Sequence, residues 1–237
     1  MNKKMYLLFL SCLLVLPFIF SHTNVSAKSE DEFPTLEEAS QVLTSEDKEV
    51  YASMTDDEKS EKEIFIAEKY DEGSILSEED TIFLLNQARN VKNNPGIELY
   101  NGSSSKAVNK ALSKYGTKVT LTGTMYQNIA TVVGTSTFRG NLTLTANSGA
   151  LKKVALARHH SAYGVVGWSG KLPTVGRVYK GSVSMSKSSS LNTTRMDKTT
   201  KYSSILPSYT TMYSQATVTT AKGDQYTVTT PSWSRAQ

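Results

Sequence analysis

The sequence predicts an α+β protein: short N-terminal acidic helices followed by an antiparallel all-β domain, built as a sandwich or an open barrel. Three observations carry this reading. Charge is sorted along the chain. Residues 28–95 hold 19 Asp and Glu against 7 Lys and Arg, whereas residues 96–237 hold 17 Lys and Arg against three acids, Glu98, Asp197 and Asp224. Apolar residues recur at helical intervals in the acidic part and at alternate positions after Thr117. Turn residues then break the alternating part into short strands, as in sandwiches and small barrels.

The first 27 residues read as a secretory signal. Asn2-Lys3-Lys4 is a positive lead, Met5 to Phe20 is an apolar run, and Val25-Ser26-Ala27 offers small residues for cleavage after Ala27. The run is short for a spanning helix, which needs about 20 apolar residues, and Pro17 interrupts it. Lipid attachment at Cys12 competes poorly, because Phe9 is ill-suited three positions upstream. Cys12 is the only cysteine and falls inside this segment, so the exported chain has no thiol. Disulfides, cysteine-ligated zinc and a cysteine nucleophile are thereby excluded. A cysteine-free exported chain suits a Gram-positive bacterium.

Residues 28–95 form the acidic helical region. Thr35 and Thr55, each followed three residues later by Glu38 and Glu58, have capping-box spacing. Ser77 precedes Glu78, Glu79 and Asp80, which place negative charge on a first helical turn where the dipole favours it. Ile64, Ala67 and Tyr70, with Phe65 beside them, and then Ile82, Leu85, Ala88 and Val91 supply the apolar stripes. Three or four short helices over 34–92 follow, each too narrow in its apolar face to stand alone. Residues 96–237 form the basic β-rich domain, led by one helix at about 105–115. Val108, Ala111, Leu112 and Tyr115 make its inner face, Lys106, Lys110 and Lys114 its outer face, and Gly116 its end.

From Thr117 the period becomes two. Val119, Leu121 and Met125 alternate with Thr120, Thr122 and Thr124, and Leu142 and Leu144 with Thr143 and Thr145. Thr217–Thr220 and Thr227–Thr230 read as a hairpin about Gly223 with Val218 opposite Val228, and Pro231 ends it. Residues 186–204, rich in Ser, Thr, Lys and Arg, read as a long exposed loop.

The chemistry available is narrow. His159 and His160 are adjacent, so on a strand they face opposite ways, and no zinc-site spacing accompanies them. A hydrolase using His159 or His160 remains one reading, without a Gly-x-Ser-x-Gly elbow to present a serine. Glu98, Asp197 and Asp224 make no carboxylate pair in the basic domain. The glycine-rich Tyr163–Gly170 stretch lacks phosphate-loop spacing and reads as a strand with close backbone approach. No cofactor and no metal are implied. Binding is better supplied: Arg139, Lys152, Lys153, Arg158, Lys171, Arg177 and Lys180 interleave with Tyr163, Trp168 and Tyr179. Cations beside aromatic faces suit anionic polymers.

The leading expectation is a secreted, non-enzymatic, bacteriocin- or toxin-like protein whose basic domain binds an anionic cell-wall polymer or membrane surface. No specific nucleic acid is expected. An adhesion or glycan-binding β-sandwich module is the alternative, with threonine-rich strand faces meeting sugars. Opposite charge blocks tethered in one chain meet at high effective concentration. Residues 28–95 are therefore expected to contact the basic domain, either as a mask or pro-segment cut within 90–105, or as a permanent part of the fold.

Overall fold

A computed structural model describes residues 34–93, 102–130, 134–189, 192–203 and 207–236; the signal segment expected at 1–27 lies outside them. Four helices come first: α1 (Leu36–Ala39), α2 (Ser45–Ala52), α3 (Asp56–Lys69) and α4 (Glu78–Asn93). Reciprocal capping boxes start three of them, Thr35 with Glu38, Thr44 with Asp47 and Thr55 with Glu58. Ser77 starts α4, its Oγ accepting from the Asp80 N–H at 3.3 Å. Unlike the narrow stripe expected, α4 is buried almost all round from Phe83 to Ala88, as befits a helix enclosed by its neighbours. Among the described residues no helix is long and apolar enough to cross a membrane.

Nine strands follow among the described residues: β1 (Gly102–Lys114), β2 (Thr117–Ile129), β3 (Thr135–Ser148), β4 (Leu151–Ser169), β5 (Leu172–Ser188), β6 (Thr193–Ser203), β7 (Tyr209–Thr220), β8 (Gln225–Thr229) and β9 (Trp233–Ala236). They make two antiparallel sheets, one ordered β1-β2-β3-β6 and the other β5-β4-β7-β8, with β9 also along β7. The sheets do not close into a barrel. Val119, Leu121, Phe138 and Leu142 of the first sheet pack against Val154, Leu156, Met212 and Val218 of the second. The helices cover the outer face of the second sheet. Leu36, Ile66, Phe83 and Leu84 share a core there with Tyr163, Val165, Val175 and Tyr209. Each fully buried side chain of this kind contributes about 1.5–3 kcal/mol. Residues Phe33–Gln237 accordingly make one compact unit.

Three expectations are corrected. The helix at 105–115 is the edge strand β1, paired with β2 from Gly102↔Ile129 to Lys114↔Thr117. Lysines at 106, 110 and 114 recur every four residues, an interval that fits one helical turn and also two strand periods. The loop at 186–204 is mostly strand: β5 reaches Ser188 and β6 covers Thr193–Ser203. Its alternation is real, but only Met196 and Tyr202 carry it as large buried groups. The last hairpin forms with a two-residue shift, Val218 facing Tyr226 and Ala216 facing Val228. Because two is a full strand period, each side chain still faces the expected way.

Candidate functional site

The residues expected to bind an anionic polymer do not come together. Arg158, Tyr163 and Arg177 are interior, at most 2% exposed, and offer no surface to a polymer. Arg139 is paired with Asp197 in a two-pronged contact at 2.7 and 2.6 Å, with its guanidinium 5.7 Å from the Tyr126 ring. Lys180 pairs with Asp71 at 2.7 Å. Lys152, Lys153, Trp168 and Lys171 are exposed. They fall at the two ends of β4, whose span from Lys153 to Trp168 is roughly 50 Å at the usual rise per residue.

A different cationic cluster forms at the end of the sandwich that holds the β1–β2, β3–β4 and β7–β8 turns. The register brings these turns together: Lys114 pairs with Thr117, Lys118 with Ser148, and Lys153 with Ser188, while Ala221 N–H donates to Ala150 O at 3.0 Å. Lys114, Lys118, Lys152, Lys153, Lys187 and Lys222 are all exposed there. Among the described residues Asp224 is the acid at this end, and it is engaged by its own turn, with its N–H on Thr220 Oγ1 at 3.2 Å and its Oδ2 accepting from that hydroxyl at 3.3 Å. Tyr115 is half exposed beside it, with Lys114 Nζ 5.1 Å from its ring. Tyr226 supports it from below and bonds Thr117 Oγ1 at 2.7 Å. Two elements of this cluster, Lys152 and Lys153, were legible in the sequence; the other lysines come from strand ends that only the register assembles.

The acidic helices leave these lysines uncovered. Their carboxylates serve the helices themselves: Glu38, Asp47 and Glu58 cap, and Asp80 pairs with Lys62 at 2.9 Å and Lys69 at 2.7 Å. Burial would raise the Asp80 pKa, but the Lys69, Lys62 and Tyr70 contacts outweigh it and hold the group at about 2. Toward the β body the helices offer hydrogen bonds more than ion pairs. Glu63, buried on α3, accepts from Tyr209, from Ser232, and from Ser234 at 2.7 Å. Glu68 accepts from Tyr213 at 3.3 Å. Arg177 donates to the carbonyls of Ala67 and Tyr70, closing the C-terminal end of α3. Residues 73–76 add to the β5 edge, Gly73 N–H reaching Arg177 O at 2.8 Å and Leu76 N–H reaching Val175 O at 2.9 Å. Glu63 escaped the sequence reading because a buried acid is invisible to apolar periodicity. Its spacing with Ser60 and Ala67, three and four residues apart, does mark it as inward-facing.

The histidines separate as adjacent strand residues must. His160 points between the sheets, fully buried, with Nε2 2.8 Å from the Tyr202 hydroxyl and its ring 5.0 Å from Phe138. Burial, aided by Arg177, pushes its pKa down to about 3, so it is neutral packing. His159 points toward α3 and stacks on Tyr213 at 4.7 Å. It shares a cavity of about 320 Å³ with Glu68 and Ser182. Ser182 is its cross-strand partner, yet no hydrogen bond joins the two side chains, and His159 Nε2 has no partner. Among the described residues no three His, Cys, Asp or Glu side chains are grouped to hold a metal ion.

Arg158 lies between the sheets with Nη1 on Thr124 O at 2.9 Å and Arg139 O at 3.3 Å. Burial lowers its pKa to about 9. Gly140 lies against it, and a Cβ there would meet Val183 at 2.7 Å and Met196 at 2.8 Å.

No protein-family model matches the chain. No curated protein matches it either. Among solved structures it is similar to the putative ApaA protein from Bordetella pertussis, at 10% identity over 59% of this chain and 96% of that one, with a TM-score of 0.28. A structural-genomics target matches at 9% identity over 59% and 90%, with a TM-score of 0.22. A structure of manganese lipoxygenase of Gaeumannomyces graminis with part of zonadhesin of Komagataella pastoris matches at 9% over 53% and 67%, TM-score 0.19. Likenesses this weak carry nothing about what the chain does.

Proposed function

We propose that this is an exported, non-enzymatic bacterial protein whose β-rich body binds an anionic cell-envelope surface, in the manner of a bacteriocin or toxin. The contact is made by the lysine-bearing turn end rather than by a surface joining all the cations from Arg139 to Lys180. The supporting observation is the gathering, among the described residues, of six exposed lysines with Asp224, an acid already engaged by its own turn. Such a surface attracts phosphate-rich polymers, whether wall teichoic acid or lipid headgroups, and its attraction weakens with salt. Each lysine near an anionic surface contributes about 1 kcal/mol.

The test replaces Lys152, Lys153 and Lys187 together by Glu and measures retention on two probes: phosphatidylglycerol vesicles and walls carrying teichoic acid. Removing three such contacts is expected to weaken retention on the operative surface by about a hundredfold. Lys171→Glu, at the opposite end of β4, is expected to change little. Preference for one probe assigns the phosphate to lipid or to wall. Retention by the triple variant equal to that of the parent, at low and high salt alike, would overturn the reading.

A further inference from the structure

A cleft beside the first residues of β1, the end of that strand away from Lys114, has a different character from the lysine end. It is a cleft of about 960 Å³, at the upper end of the range that encloses small ligands. Glu63 of α3, Gln87 of α4, Lys106 of β1, Tyr126 of β2 and Trp233 of β9 all line it. Its wall is built, not accidental. Glu63, 6% exposed, is fixed by the Tyr209, Ser232 and Ser234 hydroxyls, and Ser60 Oγ accepts from Ser232 N–H at 2.7 Å.

Gln87 gives the cleft its direction. The residue is 6% exposed, and its Nε2 has no hydrogen-bond partner in the protein. A buried amide donor left unpaired costs about 1–3 kcal/mol, which a ligand oxygen would recover. Charge defines the ligand further. Asp56, Asp57 and Glu63 face Lys59, Lys106 and Arg235 around the cleft, so its charges cancel with Glu63 ionised and nearly cancel with it protonated. Such a lining favours neither anions nor cations. The exposed Tyr126 supplies apolar ring surface beside carboxylate, amide and serine groups, and the largely buried Trp233 borders it.

We infer that this cleft binds a neutral, hydroxyl-rich ligand of the sugar class. Sugar hydroxyls both donate and accept, which suits carboxylates, amides and serines together, and the C–H face of a pyranose packs on aromatic rings. The inference is independent of the lysine end, which takes anions.

The chain has two tryptophans, Trp168 and Trp233, so Trp168→Phe in the chain from Lys28 leaves the cleft indole as sole reporter. N,N′,N″-Triacetylchitotriose and maltotriose, two neutral trimers, are titrated while Trp233 fluorescence is followed. A saturable change with at least one trimer, unchanged in 0.5 M salt (about 3–4 Å of screening length), is expected. Gln87→Leu is expected to raise the dissociation constant about tenfold, the worth of one hydrogen bond. Tyr126→Ala, an exposed change that spares the core, is expected to weaken binding as well. Lys152→Glu/Lys153→Glu/Lys187→Glu is expected to leave it intact, which separates this site from the anionic one. Retention on peptidoglycan stripped of anionic polymers, competed by the trimer, assigns the sugar to the wall; trimer binding without retention assigns it to a free oligosaccharide. No saturable response to either trimer, or an undiminished response in both the Gln87 and Tyr126 variants, would overturn the inference.

Discussion

Glu63 is a carboxyl group enclosed by three hydroxyls, and burial, opposed by those hydrogen bonds, raises its pKa. A carboxyl that holds its proton more tightly when folded contributes stability that is complete below the unfolded value of 4.5 and is lost as pH rises through the folded value. Asp80 works the other way, since its pKa is held below its ordinary 3.8; its contribution is present above that value and constant in the window where Glu63 titrates. The urea midpoint of the parent is therefore expected to fall relative to that of Glu63→Gln as pH is raised from 4.5, the neutral amide being unable to ionise. Parallel midpoint curves for parent and variant across that range would remove this account. At this scale the sequence misleads in a specific way. Arg158, Tyr163 and Arg177 look like a cation–aromatic surface because nothing in their neighbourhood announces that β4 is covered on both faces, by the first sheet and by the helices. The glycine beside Arg158, Gly140, whose absent Cβ leaves space for Val183 and Met196, marks that close packing, and it lies 18 positions away in the chain.

Among the elements, α3 is the one whose attachment can be cut at a single side chain. Arg177 Nη1 serves the Ala67 and Tyr70 carbonyls at the helix end, Nη2 serves Ser161 Oγ, and Nε serves Tyr179 O at 3.3 Å. Arg177→Met keeps the length and removes every donor. With two or three buried acceptors stranded at about 1–3 kcal/mol each, a loss of about 3 kcal/mol or more is expected in urea denaturation. Arg177→Lys is expected to recover only part of it, because an ammonium cannot reproduce the planar fork. A midpoint for Arg177→Met within error of the parent would mean that the apolar face of α3 and the Glu63 and Ser60 hydrogen bonds hold it without Arg177. The elements themselves were unevenly legible. Capping boxes marked helix starts because their chemistry is local, and threonine alternation marked β2 and β3 because one face is solvated. β1 was not legible as a strand, since Lys106, Val108, Lys110, Leu112 and Lys114 share a face under a period of two while repeating every four. Inward lysines on an edge strand also discourage pairing with another chain, which gives that pattern a physical reason.

At the scale of the whole molecule, sorted charge predicted two bodies, and what joins them is apolar. Leu36, Ile66, Phe83 and Leu84 bury against Tyr163, Val165, Val175 and Tyr209, while Asp71–Lys180 is the ion pair that crosses between helices and sheet among the described residues. A sign difference between segments sets a long-range field, which salt screens within about 8 Å; close contact is decided by shape and burial. Separating the two parts would expose that apolar face, leave Arg177 without its carbonyls and leave Tyr209 without Glu63. The chain beginning at residue 97 is therefore expected to lack a cooperative urea transition and to bind a hydrophobic dye, whereas the chain from Lys28 unfolds in one cooperative step. Mass spectrometry of protein recovered from culture medium is expected to find a start at Lys28 and no species starting near residue 96. A stable, cooperatively folding 97–237 fragment, or an extracellular form beginning there, would favour the removable leader, because it would show that the second sheet can tolerate solvent on its outer face.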